Sequence, residues 1–293
     1  MGNVRVYHYN AFSTEKDKGN PAGVVFDGHT LSEEQKVAVA KQVGFNETAF
    51  VLESDVADLR LQYFTPSHEI NLCGHATVAS LFGLRSRKLI NGQYLTVETN
   101  VGILPMQVTS TSDESFMVLM KQASPEFVEF QGSLDKLADS IGITREDIDE
   151  NLPVVFGSTG IWTLLIPIKK LESFSRMTPH NEQFPSVLVQ MPRMSVHPFC
   201  LETHDPKAHM HARHFSSPYS GTVEDPVTGT ASGVMGAYYS RYIKSDSEQV
   251  NLVVEQGHEI GRNGYVFVSI GSQGNDIQIS GSGVYVTEYD IEI

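Results

Sequence analysis

The chain is poor in cysteine, in positive charge and in long hydrophobic runs, and each shortage removes a class of function. Cys73 and Cys200 are the only cysteines in 293 residues. They have no paired spacing, so neither a disulfide framework nor a structural zinc site is expected, and a reducing, cytoplasmic location fits. The 21 lysines and arginines stand against 35 acidic residues, for a formal charge of −14, and no basic run offsets them anywhere. Nucleic acid and anionic membranes are therefore not expected partners. No stretch approaches membrane-spanning length, and residues 1–12 alternate polar and apolar without the continuous apolar core of a signal peptide. Hydrophobic content of 40% and charged content of 19% are those of an ordinary globular enzyme, long enough for two lobes that each bury an interior.

Two short glycine-led segments stand out: Leu72-Cys73-Gly74-His75-Ala76-Thr77 and Glu224-Asp225-Pro226-Val227-Thr228-Gly229-Thr230-Ala231. Each sets an ionisable group beside a glycine and small residues and runs into a helical stretch. Such a junction offers free backbone N–H groups and the positive end of a helix dipole, a seat for an anion. The surroundings repeat as well. Phe64-Thr65-Pro66 leads into the first segment and Phe215-Ser216-Ser217-Pro218 into the second, and Val97-Glu98 to Gly102 downstream mirrors Val254-Glu255-Gln256-Gly257. We read a degenerate two-fold repeat whose units are half-molecules.

Alternation and turn residues predict strands over Val4–Asn10, Ala22–Phe26, Thr48–Leu52, Leu59–Phe64, Tyr94–Glu98, Ile103–Thr109 and Phe116–Lys121. A helix opens after Ser32, with Gln35 at the capping-box position, and runs to Val43. His75–Lys88 reads as a helix apolar on nearly every side, which belongs inside a domain. The second half repeats the order. Val154–Phe156 and Trp162–Pro167 read as strands, Asn181–Gln190 as a helix, Met210–Phe215 as a strand and Thr230–Tyr242 as a second small-residue helix. Four more short strands follow. The expected fold class is α+β, two pseudosymmetric domains, each a mostly antiparallel β-roll or barrel around a central helix, with the boundary in the polar stretch 122–132.

Glu47 lies at the turn between a helix and an apolar strand, where partial burial improves a carboxylate as a general base. A turn or capping role suits it equally. His75, one residue into a helix start, can hold a carboxylate or relay a proton. Asp225 precedes a proline, so its backbone is kept from helical geometry and its side chain projects ahead of the second helix, as a capping aspartate also would. Glu224 beside it is expected to be exposed. A two-thiol mechanism needs a second cysteine where the other half has Pro226 and Val227, so Cys73 reads as a buried small residue. His204, His209, His211 and His214 cluster with Asp205, and His209 and His211 share a strand face, but no second ligand group lies nearby in sequence. No metal is expected there.

Taken together, Gly19-Asn20-Pro21-Ala22-Gly23, Asn46-Glu47-Thr48-Ala49-Phe50, Phe64-Thr65-Pro66 with Glu69, Cys73-Gly74-His75-Ala76-Thr77 and Glu224-Asp225-Pro226-Val227-Thr228-Gly229 resemble the phenazine-biosynthesis PhzF-like isomerases, which share the diaminopimelate epimerase fold. The resemblance implies domains 1–125, completed by a last strand at 282–293, and 126–281, with the active site in the cleft between them. It implies Glu47 as the proton-abstracting base and His75 and Asp225 as substrate-binding or proton-relay groups. Gly74 and Gly229 lead the two helix starts, and Thr230 lines the pocket where biosynthetic members usually carry serine. A homodimer is expected on the same ground.

The expected activity is a cofactor-independent isomerisation of a small anionic carboxylic acid, a proton moving between carbons by general acid/base catalysis, with neither metal nor organic cofactor. An epimerase or racemase of a small amino or hydroxy acid, with opposed acids on the two faces, and a binding protein that has lost the chemistry are the alternatives.

Overall fold

The computed structural model describes residues 2–111, 115–244 and 249–293. Two compact units emerge, one of Met1–Lys121 with Ser280–Ile293 and one of Gln122–Ile279. The first opens with β1 (Asn3–Ala11), β2 (Asn20–Val25), α1 (Glu33–Val43), β3 (Thr48–Leu52), β4 (Leu59–Phe64) and β5 (Glu69–Ile70). It continues with α2 (Gly74–Ser86), β6 (Tyr94–Thr99), β7 (Gly102–Ser110) and β8 (Phe116–Lys121). The second holds β9 (Glu126–Glu129), α3 (Leu134–Ser140), β10 (Val155–Ser158), β11 (Trp162–Pro167), α4 (Phe184–Val187), β12 (Ser195–Cys200) and β13 (Met210–Ala212). After these come α5 (Gly229–Tyr238), β14 (Val250–Gln256), β15 (Gly264–Ile270), β16 (Ile277–Gly281) and finally β17 (Gly283–Glu292), which lies in the first unit. No helix among the described residues is long and apolar enough to cross a membrane.

The internal repeat is visible strand by strand. In the first unit β17–β1 and β1–β2 are antiparallel, β2–β3 parallel, β3–β4 antiparallel, β4–β6 parallel and β6–β7 antiparallel. In the second the same succession runs through β9–β10, β10–β11, β11–β12, β12–β13, β13–β14 and β14–β15. A parallel pair needs a crossover. Helix α1 supplies it between β2 and β3, α2 between β4 and β6, and α5 between β13 and β14. The rolls are thus mostly antiparallel, with two parallel joins in each.

Helix α1 carries the expected capping box: Ser32 Oγ accepts from Gln35 N and Gln35 Oε1 accepts from Ser32 N. Helix α2 is buried from His75 through Leu84 and packs against β1, β2, β3, β7, β8 and β17. Each large side chain it buries, Leu81 and Phe82 among them, contributes about 1.5–3 kcal/mol. Helix α5 sits so close to its sheet that a Cβ on Gly236 would lie 2.7 Å from Val268 Cγ1.

Three elements depart from the sequence reading. The helix expected over Asn181–Gln190 is a 3-10 turn, Asn181–Gln183, followed by the single turn of α4. Asn181 does not cap it, because its Nδ2 donates to Ser216 O and Val223 O, and Pro185 brings no N–H to extend the turn. Strand β12 escaped detection because Pro198 sits inside it; the proline offers its carbonyl, which accepts from Arg213 N at 3.1 Å. The polar stretch read as a linker contains β9, whose exposed glutamates disguise a strand paired to β10.

Gly257 closes β14 at φ +88, and a Cβ there would lie 2.6 Å from Arg262 O and 2.7 Å from Pro226 O. Gly257→Ala is expected to destabilise the protein by on the order of 1–3 kcal/mol and to lower its thermal midpoint by several degrees; an unchanged midpoint would contradict this packing.

Candidate active site

Glu47 closes the turn between α1 and β3, where its own carbonyl accepts from Gly23 N. The fold delivers its carboxylate to the start of α2: Glu47 Oε2 lies 3.3 Å from His75 Nε2, with the two side chains 20% and 8% exposed. Cys73 Sγ lies 3.4 Å from His75 Nδ1. The expectation that Cys73 is a buried small residue holds. Its thiol faces the imidazole, and carboxylate, imidazole and thiol all fall within 4.8 Å of one another.

The helix start itself is open. Cys73, the N-cap, is extended and makes no side-chain capping bond. The hydroxyl that could compete, on Thr77, is committed to Cys73 O at 2.7 Å and to the Tyr63 hydroxyl at 2.6 Å. A Cβ on Gly74 would meet nothing within 4 Å, so packing does not demand glycine here, and its absent side chain leaves the first-turn N–H groups accessible. An anion suits that position.

The second unit repeats the arrangement with other side chains. Thr228 is the N-cap of α5 and Gly229 its first residue. Ser232 Oγ donates to Thr228 O as Thr77 does to Cys73 O. The position equivalent to Cys73 is therefore Thr228, not Pro226 or Val227, and the second unit has no thiol there. Thr228 Oγ1 donates to the Asp225 carboxylate. Fully buried Gln256 locks this turn, donating from Nε2 to Asp225 O at 2.7 Å and accepting at Oε1 from Thr228 N at 3.1 Å. Thr230 follows Gly229 in the first turn, its carbonyl accepting from Thr159 Oγ1. Glu224 is not exposed as expected: its side chain is 9% exposed and paired bidentately with Arg213, which also donates to Phe174 O and Met177 O. Gln256 and Arg213 were missed as positioning groups. The only sequence signal was the repeated Val254-Glu255-Gln256-Gly257 exit, and nothing in the sequence linked Arg213 to Glu224.

The histidine-rich segment divides three ways. His209 Nδ1 accepts from Val253 N, His214 turns to His197, and His204 and His211 meet Glu255 and Glu259. Metal-compatible donor groups among the described residues are therefore Glu47, Cys73 and His75 in one unit and His204, His211 and Glu259 in the other.

A roll repeated twice, each around a buried helix that opens on glycine, with an acid and a histidine at the first opening, is the architecture of an isomerase. The sequence profile of the phenazine biosynthesis-like proteins (PhzC-PhzF) matches residues 9–289, and the chain belongs to that family of isomerases. It is 49% identical over 287 residues to the uncharacterized isomerase YfhB of Bacillus subtilis, covering 98% of this chain and 97% of that one. The crystal structure of a PhzF-family phenazine biosynthesis protein from Bacillus anthracis, also 49% identical, superposes with a TM-score of 0.97 over the whole of both chains. The trans-2,3-dihydro-3-hydroxyanthranilate isomerase of Pseudomonas aeruginosa is 25% identical over 95% of this chain and 96% of its own.

Behind Asp225, whose N–H donates to His214 O, lies a pair of imidazoles, His197 buried and His214 partly buried: His197 Nδ1 and His214 Nδ1 are 3.1 Å apart, one donating and the other accepting. Burial, and then the neighbouring imidazole, hold His197 well below the usual histidine pKa; burial also lowers His214, with Asp225 opposing it. Because both are lowered in the folded state, the unfolded chain takes up more protons as pH falls through about 6.5. The pair's stabilisation is complete above that pH and is lost on acidification. Denaturant midpoints are expected to fall from pH 7 to pH 5, by up to about 1.4 kcal/mol per pH unit for each proton, and His214→Gln should flatten the slope. An equal slope in the variant would sink the assignment.

Proposed function

We propose that this isomerase is cofactor-independent and moves a proton between two carbons of a small anionic carboxylic acid, with Glu47 as the base. The observation that carries the reading is the 3.3 Å approach of the Glu47 carboxylate to His75 at the uncapped start of α2. The backbone N–H groups of Gly74 and its neighbours receive the substrate carboxylate and the charge that develops on it as the proton leaves. His75 orients Glu47 and shares the proton it takes up. Asp225 serves as the second acid/base group, with Gly229 and Thr230 as binding residues at the start of α5. The Pseudomonas relative's substrate is a cyclic, unsaturated amino acid. We therefore read the substrate as an unsaturated cyclic carboxylic acid, in which conjugation both acidifies the departing proton and offers a second carbon to receive it. The protein is further read as a cytoplasmic homodimer.

Epimerisation by paired thiols finds no support, since Thr228 stands where the second thiol would be. A carboxylate base in a preorganised site contributes roughly 10²–10⁴-fold. With a panel of cyclic and amino carboxylic acids, Glu47→Gln is expected to reduce turnover by about that factor while leaving the thermal midpoint within a few degrees of wild type. Turnover that survives Glu47→Gln would remove Glu47 from its role; firm ligand binding with no turnover by either protein would favour a binding protein.

A further inference from the structure

The second unit buries a cluster that the proton-transfer chemistry does not use. His211 lies at the centre of β13, directly paired in register with Glu255 of β14. His204 stands on the turn before β13, and His258 and Glu259 on the turn after β14, shaped by Gly257. His211 and Glu255 are fully buried and Glu259 is 11% exposed. His211 Nδ1 meets Glu255 Oε1 at 2.9 Å, and its Nε2 meets Glu259 Oε1 at 2.9 Å. His204 Nε2 lies 3.9 Å from the same Glu259 oxygen.

We propose that His204 Nε2, His211 Nε2 and the Glu259 carboxylate form a binding site for a divalent transition-metal ion of the zinc type. Three donor atoms of these residues lie within 4.8 Å of one another, and a modest shift that draws His204 inward and opens the His211–Glu259 contact gives the separations that ligands about 2.0–2.2 Å from one ion require. Two imidazoles and a carboxylate are a borderline donor set, suited to zinc or cobalt and too rich in nitrogen for calcium or magnesium.

Glu255 is already built as the supporting group rather than as a ligand. It accepts from His204 N at 2.7 Å, from Asp205 N at 2.9 Å and from the Nδ1 side of His211. A carboxylate that takes the Nδ1–H of a ligating histidine fixes the tautomer that leaves the Nε2 lone pair free for metal. The remaining oxygen, Glu259 Oε2, is buried with no hydrogen-bond partner, and so is His258 Nε2, 3.5 Å from the other Glu255 oxygen. Such orphans are costly without an ion or water to meet them.

Charge points the same way. Neither Glu255 nor Glu259 has a lysine or arginine as a hydrogen-bond or ion-pair partner among the described residues. Without an ion, a proton on each ring nitrogen lets His211 bridge the two buried carboxylates; a divalent ion would displace the Nε2 proton and balance both carboxylates on neutral imidazoles. His204, with its side chain 46% exposed, leaves one side open for the ion to enter and for water to complete the coordination. The site lies wholly in the second unit, and its ion would be structural, clamping the turn after β14 to β13.

The full-length protein, stripped with a chelator, would be titrated with Co²⁺ and followed by visible absorption, with Zn²⁺ competition and thermal unfolding in parallel. One Co²⁺ per chain, displaced by Zn²⁺, with a midpoint raised by Zn²⁺, is expected. His204→Ala, at an exposed position, and the isosteric Glu259→Gln should each weaken binding more than tenfold, while Cys73→Ser and Glu47→Gln leave it unchanged. Absence of saturable binding to wild type, wild-type affinity in both His204→Ala and Glu259→Gln, or loss of the signal in Cys73→Ser would each overturn the assignment, the last by moving the ion to the Glu47 group.

Discussion

Each unit is organised by a helix buried on every side. A helix so placed turns no side to solvent, so its sequence is mostly small or apolar, and only its ends approach the surface. Ten consecutive residues of α2, His75–Leu84, are buried, and in α5 burial extends from Ala231 through Tyr238. The first-turn N–H groups at the N-terminal ends have no partner within the helix, and the partial positive charge they carry suits an anion. In the first unit Cys73 as N-cap, Gly74, His75 in the first turn and Glu47, brought across from the edge of β3, gather at one of these ends.

The repeat preserves the frame and changes the side chains. Both fourth strands lead through a turn into the helix, and both helices return a hydroxyl, Thr77 or Ser232, to the N-cap carbonyl. Yet Cys73 becomes Thr228, His75 becomes Thr230, and the residue before the third strand changes from Glu47 to Met194. The two starts cannot do the same work. One carries a carboxylate and an imidazole 3.3 Å apart; the other carries an aspartate whose carboxylate accepts from Thr228 Oγ1 and whose carbonyl accepts from Gln256 Nε2. That asymmetry fits the migration of a proton between unlike carbons better than inversion by matched acids.

Much of this was legible in the sequence because it is encoded locally. Ser32 and Gln35 make a capping box wherever they stand three apart before a helix, and the all-apolar pattern of α2 admits no surface position. The glycine-led segments carried the repeat, and the resemblance assigned Glu47, His75 and Asp225 their candidate roles. What the sequence hid was the pairing of distant residues. The burial of Glu224 follows from Arg213 lying across from it, and the thiol of Cys73 gains a partner only once His75 turns back over the N-cap. Histidines of the 204–214 segment that had no second ligand group nearby in sequence meet carboxylates from beyond α5 in the chain, because β13 and β14 run parallel and a parallel pair joins residues separated by a whole crossover.

The central claim is that a carboxylate at the start of α2 carries a proton from one carbon of the substrate to another. It is tested most directly by running the reaction in D₂O to a few turnovers and locating the deuterium by NMR. The account predicts a shifted double bond, with deuterium, taken up where the protonated carboxyl exchanges with solvent before returning its proton, only at a carbon other than the one that lost its proton. Deuterium at the same carbon, with the double bonds unmoved and the stereocentre inverted, would contradict it and make the protein an epimerase.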